Sequence, residues 1–448
     1  MKSDRNGEDK DMKICSKKDI KAITGIMAAS LLLGGCTAVT PAAQSDSDSG
    51  LVNDPQVKAE INFRDVEGAD YDAAQMDREY RRYCFDIFSQ TVRDYGTDSN
   101  IMISPASLMM ALDMAAAGTK GESLEQLTNL FAPGQGPLTQ QAYAADLMDR
   151  INGSKDVEFG CANAVWNNAT LLGDKVNTDY VSYIQDTFLA EYKVSAFNDD
   201  TPAEINSWVY EHTDHQIAKI IDGLDPLTVM VLVNAITFDG KWEESYDEYH
   251  VFDDVFTTAS GEEQTVTYLH DETSAYYETD LATGFIKEYE GGQYAFLAIL
   301  PTDESISANE FAAKFTAADY EAFISSVSYD YKVYSRMPEF ETDFDYEMND
   351  TLKNLGVTDI FDPRKADFSG IAGQPGEIYA SKVVHTTHIE VDREGTKAAA
   401  ATAVVLEAKG IDINADPTRN VNCDRPFVYA IVDTETMAPI FIGTVNEV

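Results

Sequence analysis

The chain has 448 residues, 44% of them hydrophobic and 10% aromatic, enough to bury a large core; 33 Lys and Arg face 77 Asp and Glu, a formal net charge of −44. A surface this acidic repels phosphate backbones and anionic lipid headgroups, which argues against nucleic-acid binding and against membrane attachment by charge. It reads as a well-solvated extracellular surface. No internal repeat is visible, and beyond the leader no apolar run reaches the length of a membrane span.

The chain opens with a leader. Residues 13–21, KICSKKDIK, supply positive charge, and the apolar stretch Ala22 to Leu33 ends in LLLGGC. A charged start, a short apolar core and small residues at its end predict an export signal over residues 1–36, with translation from Met12 as an alternative start. Leu33-Gly34-Gly35-Cys36 resembles the bacterial lipobox, which implies acylation of Cys36 and a lipid-anchored protein at the cell surface. Residues 37–75, beginning TAVTPAAQSDSDSG, are too poor in apolar side chains to order themselves and read as a flexible tether.

From residue 76 the chain reads as one domain. Tyr80, Cys84, Phe88, Val92 and Tyr95 recur at helical spacing, predicting a helix over 76–95. Ser104-Pro105 is a helix cap followed by a first-turn proline, and Gly118 is the stop. Thr228–Phe238, TVMVLVNAITF, is apolar on both faces and β-branched, a central covered strand. YAFLAILP and YKVYSRMP are further strands. Met348, Leu352 and Leu355 share a helical face that ends at Gly356, and the C-terminus is a pair of apolar strands around a turn. Helices and strands mix without βαβ alternation, so the fold class is α+β.

Catalytic motifs are missing. There is no G-x-S-x-G, phosphate-binding loop or dinucleotide fingerprint. His212 and His215, three apart, read as part of a solvated helix rather than a metal pair. His385 and His388 lie in a β-like run, where that spacing puts them on opposite faces, so they are not joint ligands. Of five cysteines, Cys15 and Cys36 fall in the leader; Cys84, Cys161 and Cys423 are widely spaced, without C-x-x-C, and read as small buried side chains. No metal, cofactor or enzymatic activity is expected.

One segment resists a single assignment. In EGTKAAAATAVVLEAKG, Glu394 to Gly410, the alanines favour helix and the β-branched residues favour strand. Sorted by parity, the even positions Thr396, Ala398, Ala400, Thr402, Val404, Leu406 and Ala408 carry no charge, while Lys397, Glu407 and Lys409 are odd. Such a segment is written as a strand that can bury one face and expose the other.

EGTKAAAATAVV resembles the hinge of the reactive loop of serpins, the serine protease inhibitor superfamily. NIMISPASLMMAL, LVNAITFDGKWEESYD, DFSGI, VVHTTHIEVDREGT and DRPFVYAIVD…PIFIGTV resemble family segments in the same order, over residues 76–448. The resemblance implies the serpin fold: three β-sheets, eight or nine helices, an exposed reactive loop and a metastable native state. It assigns Glu394, Gly395, Thr396, Ala398, Ala399, Ala400 and Ala401 to the hinge. Ser104, Ser107, Asn234 and His385 fall to a buried polar cluster beneath the central sheet, the shutter, and Trp242 to the breach where the loop enters that sheet. Arg393 departs from the family's common glutamate. The scissile bond is implied at Lys409-Gly410, suiting trypsin-like proteases, or one residue earlier at Ala408, suiting elastase-like or cysteine proteases. The implied function is suicide-substrate inhibition by a monomer that forms a covalent complex with its protease. The alternatives are a non-inhibitory serpin and an unrelated surface lipoprotein that binds solutes or host proteins.

Overall fold

The computed structural model describes residues 60–396 and 417–448 apart from Glu67, Thr97 and Pro226, all within one compact unit, Pro55–Val448. The leader with Cys36, and the loop residues Ala398 to Gly410 with both candidate scissile positions, lie outside the described residues.

The first half is mostly helical: α1 (Phe63–Val66), α2 (Ala73–Tyr95), β1 (Ile101–Ile103), α3 (Pro105–Ala117), α4 (Gly121–Phe131), α5 (Pro137–Asn152), β2 (Glu158–Asn168), α6 (Thr178–Phe188), β3 (Glu191–Ser195) and α7 (Thr201–His212). Strands then dominate: β4 (Met230–Lys241), β5 (Val251–Thr257), β6 (Glu263–Thr273), β7 (Tyr276–Glu278), β8 (Ala282–Glu288) and β9 (Tyr294–Pro301). The rest runs α8 (Ala308–Ala312), α9 (Ala317–Ser325), β10 (Lys332–Pro338), β11 (Phe340–Glu347), α10 (Asn349–Asn354), β12 (Val384–Val391), β13 (Gly395–Thr396), β14 (Thr418–Asn422), β15 (Phe427–Asp433) and β16 (Pro439–Val445).

The strands form three sheets, ordered β11-β12-β13-β4-β2-β3, β1-β16-β15-β9-β8-β7 and β14-β10-β6-β5. The α+β class and the three sheets match the expectation. Ten α-helices occur among the described residues, above the expected eight or nine, because short pieces such as α1 and α8 count separately. β9, β15 and β16 are buried along their whole length, as their unbroken apolar runs require. α2 packs against that sheet and is tied to it where the Tyr80 hydroxyl donates to the Pro439 carbonyl at 2.9 Å. Its ends are local chemistry: Asp72 accepts from the Gln75 amide, and Gly96 takes a left-handed φ of 66°.

The structure differs from the composition-based boundary at residue 75. Phe63 stacks on Tyr183 with centroids 4.5 Å apart, Val66 is buried, and Lys120 reaches Glu60 at 2.9 Å. Three apolar side chains, Ile61, Phe63 and Val66, are enough to lay this stretch on α5 and α6, although the average composition around them is that of a linker. Cys84 and Cys423 are unpaired and buried, and burial raises both thiol pKa values, so neither is a ready nucleophile.

Candidate functional site

The segment that sequence alone leaves undecided begins as a strand. β13 lies between β12 and β4: Thr396 pairs with Val391 on one side and Gly240 on the other, and Gly395 pairs with Lys241. Among the described residues this two-residue strand is the only ladder link between β12 and β4. At the far ends of β4 and β12, away from β13, Leu232, Asn234, Val383 and His385 line a cavity of about 320 Å³ together with Leu112 and Ile371. A strand continued from Thr396 between β12 and β4 runs toward that cavity.

The entrance is set by a tight turn. The Asp392 carboxylate accepts from the amides of Glu394 at 2.7 Å and Gly395 at 3.0 Å, and the Asp392 amide donates back to the Gly395 carbonyl at 2.9 Å. A Cβ on Gly395 would collide with the Gly240 carbonyl and the Lys241 Cα, so the close approach needs glycine. Trp242 is buried, stacks on Tyr289 at 4.5 Å, and donates its indole N–H to the Asp392 carbonyl at 2.9 Å. Its backbone amide donates to the Glu394 carbonyl at 3.1 Å. Arg393, the departure from the family pattern, faces outward toward Glu339. Thr396 is 2% exposed, and its hydroxyl meets that of Tyr289 at 2.6 Å. Thr396, the first of the uncharged even positions, therefore faces inward, as the parity pattern requires.

The polar cluster lies further along β4 and β12, where Asn234 and His385 line the cavity. Ser104 caps α3 by accepting from the Ser107 amide and donates its hydroxyl to the Ile440 carbonyl. The Ser104 amide donates to His385 Nε2 at 2.9 Å. The Ser107 hydroxyl donates to Asn234, whose amide donates to Asn163, whose amide in turn reaches the Phe188 carbonyl at 2.7 Å. The structure thus brings Ser104, Ser107, Asn234 and His385 to one place, joining α3 to β4 and β12. Each strand can move relative to the helix only by breaking buried hydrogen bonds, each worth about 1 kcal/mol net and more if a partner is left unpaired.

His385 accepts through Nε2, so it is neutral in this arrangement, and burial lowers its pKa from 6.5 to about 4. Between those values the unfolded chain binds a proton that the folded protein refuses. Stability therefore falls as pH drops from about 6.5 toward 4, by up to about 3 kcal/mol for this group. His270, also lowered to about 4 by burial and then by the Arg336 charge, acts in the same direction. Thermal melts at pH 7 and 4.5 should show a smaller acid loss in His385→Gln than in the wild type. An unchanged acid loss would remove His385 from the account.

The sequence profile described as Serpin (serine protease inhibitor) matches residues 78–448. The chain is a serpin. A serpin-like protein of Methanosarcina mazei is 30% identical over 436 residues, 95% of this chain and 97% of its own. Iripin-5 of Ixodes ricinus is 34% identical, covering 78% of this chain and 89% of its own. Among solved structures, the thermophilic serpin Tengpin in its native state aligns with a TM-score of 0.76 at 34% identity, over 85% of this chain and 96% of that one. The same serpin in its latent state aligns with a TM-score of 0.72 over 85% and 99%. Serpins are in general protease inhibitors rather than enzymes, although non-inhibitory members exist.

Sequence reasoning missed three parts of the serpin's site. Asn163 is in register with Asn234 across β2 and β4, and a lone asparagine inside the apolar run CANAVW was the available signal. Tyr289 and Asp392 carry no local signature, since one comes from the end of β8 and the other from an acidic turn. His212 and His215 do not share a helical face. α7 ends at His212, which stacks on Trp208 at 4.2 Å, and His215 has a left-handed φ of 65° in the following turn.

Proposed function

We propose that this serpin is a suicide-substrate inhibitor of trypsin-like serine proteases. The reading rests on one observation: Gly395 and Thr396 are already paired between β12 and β4, which share no other ladder among the described residues.

In this reading the protease serine Oγ attacks the Lys409 carbonyl carbon. The bond to the Gly410 nitrogen breaks, that amine takes the proton, and an acyl-enzyme ester forms. The freed hinge then extends β13 downward, carrying the protease with it before water attacks the ester. Small residues come first, Ala398 to Ala401, because the sheet must part around them; Val404 and Leu406 then bury apolar area at roughly 25 cal/mol per Å². Export and a lipid anchor at Cys36 would present this monomeric inhibitor at the cell surface. The anionic shell gives it no attraction to nucleic acid.

Incubation with trypsin-like and elastase-like proteases, a denaturing gel and the mass of the released C-terminal peptide test the proposal. A covalent complex with a peptide starting at Gly410 is expected. A peptide starting at Lys409 moves the scissile residue to Ala408, and cleavage without any complex across the panel leaves the non-inhibitory reading.

A further inference from the structure

β11 and β12 pair without interruption from Phe340↔Val391 to Glu347↔Val384, so side chains on their outer face stand at fixed positions. Phe340, Thr342 and Phe344 of β11 and His385, Thr387 and Ile389 of β12 point into the core. Glu341, Asp343, His388 and Glu390 are left on the outer face. Asp343 lies directly opposite His388, with Oδ1 2.8 Å from Nδ1. One donor atom each from Glu341, Asp343 and His388 falls within 4.8 Å of the others.

A second feature of the same face calls for positive charge. Glu341 lies directly opposite Glu390, and like charges at such a cross-strand position destabilise a sheet. Acids toward the ends of the face are neutralised, Lys382 pairing with Glu347 at 3.0 Å and Arg393 with Glu339 at 3.6 Å, while Asp345 accepts from the Thr386 hydroxyl at 3.3 Å. Among the described residues no Lys or Arg pairs with Glu341, Asp343 or Glu390. The middle of the ladder thus gathers three carboxylates and one imidazole, with no built-in cation.

We propose that Glu341, Asp343 and His388 form a site for a divalent transition-metal ion of the zinc type, with Glu390 as a further carboxylate within reach. Imidazole with carboxylates favours zinc over the all-oxygen sites of calcium and magnesium. Zinc–ligand distances of about 2.0–2.2 Å require the three donors to draw together by side-chain rotation, which exposed carboxylates on a rigid strand pair allow. The ion would tie β11 to β12 on the outer face, opposite the side where His385 holds β12 to α3. Neither His388 nor its acids touch the hinge or the shutter, so this site stands apart from inhibition.

The test is zinc chloride titrated into the full chain, read by calorimetry and by thermal melting, with cobalt(II) absorption as a ligand-field probe. One saturable site of micromolar affinity and a zinc-dependent rise in melting temperature are expected. His388→Ala and Asp343→Asn should each weaken binding by about tenfold or more. Asp343 is exposed and His388 is largely covered, so melting of each variant without metal is the check on folding. No saturable binding below about 1 mM, or zinc affinity unchanged by His388→Ala, overturns the site.

Discussion

Thr396→Arg should turn the inhibitor into a substrate. In the native arrangement Thr396 is buried between β12 and β4, with its hydroxyl on Tyr289. The Thr396 side chain meets a neutral Tyr289 hydroxyl, and an unpaired buried charge costs several kcal/mol. Each 1.4 kcal/mol slows insertion about tenfold relative to the wild type, while deacylation by water is untouched. The partition between trapping and turnover therefore inverts. On a denaturing gel the covalent complex should fall to a minor band, and cleaved protein should accumulate at the same bond. Thr396→Ser, which keeps the hydroxyl contact to Tyr289, should behave like the wild type. Complex formation by Thr396→Arg at wild-type stoichiometry would show that a charge at this position does not hinder extension of β13 during trapping.

Cleavage of the loop by itself should make the protein markedly more heat-stable. Among the described residues β12 and β4 share no ladder beyond Thr396, and a third strand inserted there pairs with both at once. Roughly ten new backbone hydrogen bonds at about 1 kcal/mol net each amount to on the order of 10 kcal/mol. For a compact unit spanning Pro55–Val448, an unfolding entropy of about 2.1 cal/mol/K per residue makes this a rise of roughly 10 °C or more. Melting of intact and protease-nicked protein, compared at one pH, measures it. Coincident melting curves would mean the cut loop stays outside the sheet, and would count against the trapping mechanism even if some complex were seen.

Much of this was legible in the chain because it depends on local chemistry. The Ser104-Pro105 cap, the Gly118 stop and the apolar run of β4 each state their own structure, and the observed elements begin and end within a few residues of them. The hinge declared its small residues and its charge parity. The tether boundary was less legible, since three apolar residues within an otherwise linker-like composition are enough to dock a short helix. His385 and His388 show both sides of the matter. Strand periodicity correctly separates their faces, but it cannot see that Asp343, 45 residues away from His388, stands opposite it.

By itself, then, the sequence determined the α+β elements, the family and a loop segment able to become a strand, because propensity, capping and periodicity act between near neighbours. Only the tertiary structure decided that Thr396 already sits in the sheet, that Asn163, Tyr289 and Asp392 belong to the machinery, and that acids of two strands converge on His388. Those are contacts across long sequence separations, set by sheet register and packing, which no local pattern encodes.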